Sequence, residues 1–336
     1  LQAGVPGQQI HFQGNNKTMG ELTMAVENNV GDIVVDNLSE LEKLETVAAA
    51  HNVTASISFR IKPGIDAHTH EFIRTGQVDS KFGLDLASGE ALEALRRAKD
   101  LPHISVKGLH CHIGSQILEK APFVHAAEVM LQFFAKIRDE LGLTLETLNL
   151  GGGFGIHYTE QDDAIPYEDY MEDVSAMVHK TCQDLGLTLP RIYIEPGRSI
   201  VGEAGITLYT VGNIKVIPDV RSYVAIDGGM FDNPRYALYQ SAYTCLVANK
   251  ADKPADYVAT IAGKCCESGD LIQEHTPIQK PEEGDILAVL STGAYNYSMA
   301  SNYNRNLKPA VVMVSKGESR IVVKGETYED LVRNDV

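Results

Sequence analysis

The sequence has no apolar run approaching the length of a membrane span, and no signal peptide opens it, so a bilayer is not expected as its solvent. It also has no long run of Lys and Arg. Its 29 basic residues are outnumbered by 45 acidic ones, a formal net charge of -16, which argues against nucleic acid and anionic membrane surfaces as partners. Cysteine is scarce and odd in number: Cys111, Cys182, Cys245, Cys265 and Cys266, the last two adjacent. Such a set does not form a secreted disulfide framework and points to the cytoplasm. An initiator methionine and a lead-in are missing too. Leu1-Gln2-Ala3-Gly4-Val5-Pro6 reads as the tail of a helix followed by a turn, so the chain is expected to be a fragment. What is present is ordinary: 336 residues, 44% hydrophobic and 22% charged, the composition of a globular protein of about two domains.

Up to residue 204, strand-like runs alternate with helical ones. Apolar runs end near positions 13, 36, 62, 112, 150 and 195, six strands in all. Between them the spacing predicts helices from Ser39-Glu40-Leu41-Glu42, which has capping-box spacing, to Ala50, over Glu90–Lys99, over Pro122–Leu141 before Gly142, and over Tyr167–Leu185 before Gly186. Ile104–His112 reads as one strand, and Ile192-Tyr193-Ile194 as a short buried one. Strands alternating with helices imply a parallel sheet, and polar or glycine-rich residues after almost every strand suit a β/α barrel with its site on one rim. A closed barrel of this kind needs eight strands, so two units of about 30 residues each are expected to be missing from the N-terminus. An open doubly wound sheet is the alternative.

Beyond Gly205 the texture changes. Thr207–Val216, Tyr223–Ile226, Tyr257–Ile261, Ile286–Leu290, Val311–Val314 and Ile321–Val323 are short β-branched runs, with Lys316-Gly317-Glu318 suited to a hairpin turn. The expected fold is therefore α/β plus all-β: a TIM-like (β/α)8 barrel, lacking its first two strands, over 1–204, and a β-sandwich or β-barrel domain over 205–336. Glu326–Arg333 reads as a short terminal helix.

The chemistry lies in polar islands. Glu195-Pro196-Gly197-Arg198 puts a carboxylate and a guanidinium where a strand stops, with a glycine between them that lets backbone N–H groups approach an anion; a surface ion pair is the plain alternative. Gly151-Gly152-Gly153-Phe154-Gly155 is either a phosphate cradle or a tight strand exit, and its lack of a P-loop lysine weighs against a nucleoside triphosphate. His110 and His112, two apart on a strand, share a face. No third ligand stands at a spacing that suits a metal, which leaves an imidazole stacked on a flat cofactor ring or a satisfied buried histidine. Cys266 beside Glu267 can deliver a proton near neutral pH, unless it is a small core residue as its neighbour Cys265 reads. Arg235 and Tyr239, four apart, read as a substrate clamp or as a solvated charge.

HCHIGSQ, GGGFG, EPGR, DGGMFDNPRYALY, CESGD and GAY occur here in the order found in diaminopimelate decarboxylases, and across essentially the whole chain the sequence resembles that family. These are pyridoxal-phosphate (PLP) enzymes of the alanine-racemase-like fold type. The resemblance implies decarboxylation of meso-diaminopimelate to L-lysine. It implies that Glu195 pairs with the pyridine nitrogen, that His112 stacks on the ring, and that Ser115, Gly152, Gly153 and the backbone of Glu195, Pro196, Gly197 and Arg198 hold the phosphate. Arg198, Arg235, Tyr239 and Glu267 would grip the far end of the substrate, Cys266 would protonate Cα, and Tyr295 would touch both cofactor and substrate. It also implies a homodimer in which Cys266 and Glu267 reach the partner's site. One departure stands out. The family's cofactor lysine, in a motif like Tyr-Ala-x-Lys-Ala, has no counterpart here, and Lys17, Lys62 and Lys81 lack its context, so this stretch alone is expected to be inactive. The alternatives are a decarboxylase of another basic amino acid or of a carboxylated polyamine, and a catalytically silent homologue that regulates an active one.

Overall fold

A computed structural model describes residues 1–65 and 80–336, and the chain divides into two compact units. The first comprises Leu1–Gly155 and Ile165–Pro196, the second Ile156–Ala164 and Gly197–Val336.

The first unit runs β1 (His11–Phe12), α1 (Met19–Glu27), β2 (Asp32–Val35), α2 (Leu38–Ala50), β3 (Ala55–Lys62), β4 (Leu84–Asp85), α3 (Glu90–Lys99), β5 (Ile104–His110), α4 (Ala121–Leu141), β6 (Thr147–Asn149), α5 (Tyr167–Leu185) and β7 (Arg191–Tyr193). Its sheet has the order β1-β2-β3-β5-β6-β7, parallel throughout, with β4 paired to the end of β3. The six strands expected from the sequence are all present. Every residue of β2 is buried, the signature of a parallel strand covered on both faces. Leu22 of α1 and Leu41 and Leu44 of α2 pack with Ile33, Ile57 and Phe59 in one continuous core.

Local signals fix the helix ends. Thr18 and Glu21 form a capping box on α1. On α2 the cap is Asn37, whose side chain accepts the Glu40 N–H at 3.0 Å, so the helix begins before the Ser39 expected to open it. Gly142 and Gly186 close α4 and α5 in left-handed geometry, as expected. Two other expectations change. The strand over Ile104–His112 stops at His110, leaving His112 in a loop. The residues around Tyr193 are half-buried rather than buried, because β7 is an edge strand with β6 as its only ladder partner among the described residues. Leu1 begins a single turn closed by Gly4 N–H on its carbonyl.

The second unit holds α6 (Gly197–Val201), β8 (Thr207–Ile217), β9 (Arg221–Ile226), α7 (Arg235–Tyr239), β10 (Cys245–Val247), β11 (Tyr257–Ala262), β12 (Leu271–Ile278), β13 (Ile286–Val289), the hairpin β14 (Val311–Ser315) and β15 (Glu318–Val323), and α8 (Tyr328–Val332). Six strands form a sheet in the order β10-β13-β8-β9-β11-β12. Glutamine side chains bridge its two ends: Gln279 accepts from Val247 N–H at 2.8 Å, and Gln273 on β12 accepts from Tyr243 N–H at 3.0 Å. The sheet is thereby drawn into a nearly closed barrel around Val211, Val224, Val247, Ile261, Ile272 and Leu287. The hairpin turn at Lys316-Gly317 has positive φ at both residues, as a two-residue primed turn requires. The sequence did not reveal β10 or β12. The first has three residues, and the second carries Gln273, Glu274, His275 and Pro277 among its apolar positions, which an edge strand tolerates. No helix among the described residues is long and apolar enough to cross a membrane.

One interaction ties the start of the first sheet together. Lys17, in the loop after β1, is buried with its ammonium donating to Gly14 O at 2.9 Å, Val34 O at 2.6 Å and Glu40 Oε1 at 2.6 Å. Lys17 is thus consumed by structure. Replacing it alone strands the buried Glu40 carboxylate, so Lys17→Met is expected to destabilise the protein by about 3–5 kcal/mol in denaturant unfolding, whereas Lys17→Met with Glu40→Leu recovers most of the loss. Equal losses in the single and double variants would refute this account.

Candidate active site

In the first unit the site grows from the C-terminal ends of β5, β6 and β7. Glu195 follows β7, and its carboxylate accepts Gln13 Nε2–H at 2.5 Å from the β1 loop and Asn149 Nδ2–H at 2.9 Å from the end of β6. His110 Nε2, at the end of β5, lies 3.4 Å from the other carboxylate oxygen. Burial alone would raise the Glu195 pKa, but the bond and charge of His110 and the bonds from Gln13 and Asn149 outweigh it and hold the carboxyl at about 2. The group is a permanent anion at neutral pH. With 29% of its side chain still exposed, it keeps room for a further donor. Asn149 also accepts the Gly151 N–H at 2.9 Å, so one amide fixes both the carboxylate and the start of the glycine loop.

That loop passes close to its neighbours. A Cβ on Gly151 would stand 2.5 Å from Cys111 O and 3.0 Å from His112, and one on Gly152 would stand 2.2 Å from Glu195 O. The tight strand exit considered from the sequence is therefore real, whatever the loop also binds. Phe154 anchors it, stacked on Phe123 of α4 at 4.7 Å and set edge-on to Tyr170 of α5 at 5.2 Å. His112, packed against this loop, is held neutral: burial first, then the charges of Arg60 and His110, bring its pKa down to about 4. The pair expected to share a strand face therefore divides, His110 inside the strand beneath Glu195 and His112 on the loop beyond it.

The second unit carries two clusters. In one, Arg198 donates to the Tyr158 hydroxyl and its guanidinium lies 4.6 Å from the Tyr295 ring. Arg235, at the start of α7, stacks 4.6 Å from the Tyr158 ring and donates to Tyr243 OH at 2.9 Å and Ser241 Oγ at 3.2 Å. Both arginines are more than nine-tenths buried, so Arg235 is no solvated charge. Tyr239 closes the same short helix one turn on. Neither Tyr158 nor Tyr243 was singled out in the sequence. Tyr158 stands in a segment that reads as a connection, and only its placement with the second unit reveals it. In the other cluster Cys266 is exposed, so it is not a core residue; its Sγ lies 3.8 Å from Glu267 Oε1 and accepts Asn304 Nδ2–H at 3.2 Å. Glu267 in turn accepts from the Tyr303 hydroxyl. Cys265 is pushed up to about 12 by burial and by Asp270, which leaves Cys266 as the available thiol of the pair.

The His112 shift has a measurable sign. The unfolded chain binds a proton near 6.5 that the folded chain refuses until about 4, so unfolding takes up a proton in this window and His112 erodes stability as pH falls through it. His112→Asn is expected to narrow the drop in Tm between pH 7 and pH 5 relative to the parent, followed by thermal melts of the cofactor-free protein. An unchanged drop would mean that the ring is protonated in the folded state.

A family model described as the pyridoxal-binding domain of pyridoxal-dependent decarboxylases matches residues 1–202. The diaminopimelate decarboxylase of Bacillus subtilis is 50% identical over 334 residues, covering 99% of this chain and 76% of its own length. That of Bacillus methanolicus is 51% identical over 324 residues, covering 96% and 75%. Among solved structures, the diaminopimelate decarboxylase of M. jannaschii in complex with L-lysine superposes with a TM-score of 0.92 at 36% identity, over 100% of this chain and 76% of that one. The chain belongs to the pyridoxal-dependent decarboxylases and, within them, to the diaminopimelate decarboxylase family.

Proposed function

We propose that the clusters around Glu195, Arg235 and Cys266 carry the PLP-dependent decarboxylation of meso-2,6-diaminopimelate to L-lysine, the last step of lysine biosynthesis. The observation that carries this reading is the Glu195 carboxylate, ionised, held by Gln13, His110 and Asn149, and still open on one edge. It suits the protonated nitrogen of a pyridine ring, and the neutral imidazole of His112 suits the face of that ring. PLP, when bound, supplies the electron sink that accepts the pair left by departing CO2. Ser115, Gly152, Gly153, Pro196, Gly197 and the Arg198 backbone are assigned to its phosphate.

The remaining roles fall to this chain's own side chains. Glu195 holds a proton on the ring nitrogen through an acceptor that does not itself titrate near neutrality. Arg235, stacked on tyrosines and bonded to neutral hydroxyls, keeps its charge for the substrate's distal carboxylate, with Arg198, Tyr239, Glu267 and Tyr295 completing the grip. The Cys266 thiol delivers the proton that replaces CO2 at Cα. Five free cysteines support a reducing, cytoplasmic setting. The exposure of Cys266 supports a homodimer in which it serves the partner's site.

Protein that also carries the family's cofactor lysine, supplied with PLP, is expected to release CO2 and form L-lysine from meso-diaminopimelate and to leave ornithine unchanged; turnover of ornithine alone would overturn the substrate assignment. Glu195→Gln is expected to lower kcat by about 10²–10³-fold with PLP still bound, while Arg235→Ala acts mainly by raising KM. Mixing Glu195→Gln subunits with Cys266→Ala subunits is expected to restore about a quarter of the parent activity, because half of the dimers then hold one intact site of two. No recovery on mixing would place Cys266 and Glu195 in the same subunit's site.

A further inference from the structure

Asp270 has no part in the roles above, yet it is the only buried residue of the loop 263–270 that carries Cys266. Its carboxylate accepts two backbone N–H groups, Met230 at 2.6 Å and Cys265 at 2.7 Å. The first belongs to the loop that leads to Arg235, the second immediately precedes Cys266. Both loops fold tightly over the carboxylate. A Cβ on Gly229 would stand 2.7 Å from one of its oxygens, and a Cβ on Gly263 would stand 2.3 Å from both. The backbone repeats the tie: Gly263 N–H donates to Asp270 O at 2.8 Å, and Asp270 N–H to Glu267 O at 3.0 Å. By contrast the Cys266 side chain is exposed, with Sγ 3.8 Å from Glu267 Oε1 and 3.2 Å from Asn304 Nδ2, and is not packed in the core. The backbone that carries the thiol is held by Asp270 at the residue just before it, and Asn304 is the neighbour that reaches the sulfur.

We propose that Asp270 is a positioning residue for the protonation step: through the Cys265 and Met230 amides it locks the Cys266 loop to the loop of Arg235 and aims the thiol. This rests on the reading of Cys266 as proton donor. A thiol displaced by an ångström still belongs to a protein that binds cofactor and substrate, but it delivers its proton late. The signature is a fall in kcat with KM and cofactor binding kept, and it separates aiming from general support of the fold.

The test uses PLP-loaded protein that also carries the family's cofactor lysine, and meso-diaminopimelate, with Asp270→Asn, Cys266→Ala, the double variant and Gly263→Ala. In Asp270→Asn the amide group faces one N–H with another. In Gly263→Ala a methyl displaces the carboxylate without changing any hydrogen-bonding group, so the second variant carries the test should the first not fold. Either is expected to lose about 10²-fold in kcat with KM within about twofold, the cofactor absorbance retained and the solvent deuterium isotope effect on kcat increased. The double variant is expected to match Cys266→Ala alone, since Asp270 acts through the thiol. Folded variants with kcat within about twofold of the parent, or losses that multiply in the double variant, would overturn the inference while a defective Cys266→Ala left the donor reading standing. Parent-like kcat in Cys266→Ala would instead remove the donor reading, and the inference with it.

Discussion

The first unit depends on keeping one carboxylate, Glu195, ionised in a half-buried place. Hydrogen bonds to a charged group are worth roughly 1.5–3 kcal/mol each, and three groups from three different strand ends supply them here. The outcome, a carboxyl held at about 2 against the pull of burial, shows that the bonds win. This sets conditions on the fold. His110 and Asn149 come from β5 and β6, neighbours of β7 in the sheet, but Gln13 comes from beyond β1 at the opposite edge. The sheet must curl until its two edge strands approach. His11 and Tyr193, with ring centroids 4.8 Å apart, mark the same approach one layer below. Side chains thus join two edges that share no ladder.

The glycine loop follows from that carboxylate. Asn149 spends its oxygen on Gly151 and its nitrogen on Glu195, which draws the exits of β6 and β7 together until no Cβ fits between Gly152 and the Glu195 carbonyl. Phe154 then needs an aromatic slot between α4 and α5, and Tyr170 closes the slot by bonding Ile117 O at 2.9 Å. A run that resembles a phosphate cradle in sequence is, in the fold, first a consequence of close backbone packing.

What could be read from the sequence follows from which forces are local. Helix ends were legible because Gly142, Gly186 and Pro122 act on their own neighbours. β2 was legible because a parallel strand covered on both faces is a continuous apolar run. The cap of α2 was misplaced by two residues because Asn37 and Ser39 offer the same chemistry at nearby positions and only tertiary position chooses between them. β12 escaped because its buried positions Ile272, Thr276 and Ile278 include a polar residue, and Gln273, Glu274 and His275 break the apolar pattern between them. Tyr158 escaped for a different reason. Nothing within a few residues of it signals a role, and its value comes from Arg198, Arg235 and Tyr243, which are 40 or more positions away. Motifs such as EPGR and CESGD marked where chemistry gathers, but the residues that orient that chemistry, Gln13, Asn149 and Tyr158, lie outside them.

The chain buries cations in two ways, and the contrast separates structure from function. Lys17 is neutralised on the spot by Glu40 and two carbonyls, so it holds β1 to β2 and has nothing left to offer. Arg235 is as deeply buried but rests on the faces of Tyr158 and Tyr243 and on neutral hydroxyl acceptors. Aromatic faces and hydroxyls offset part of the cost of desolvating a guanidinium without cancelling its charge. A carboxylate in their place would cancel that charge on the spot, as Glu40 does for Lys17. The tyrosine setting leaves the guanidinium's charge uncancelled by these partners, which is what the proposed grip on a substrate carboxylate requires.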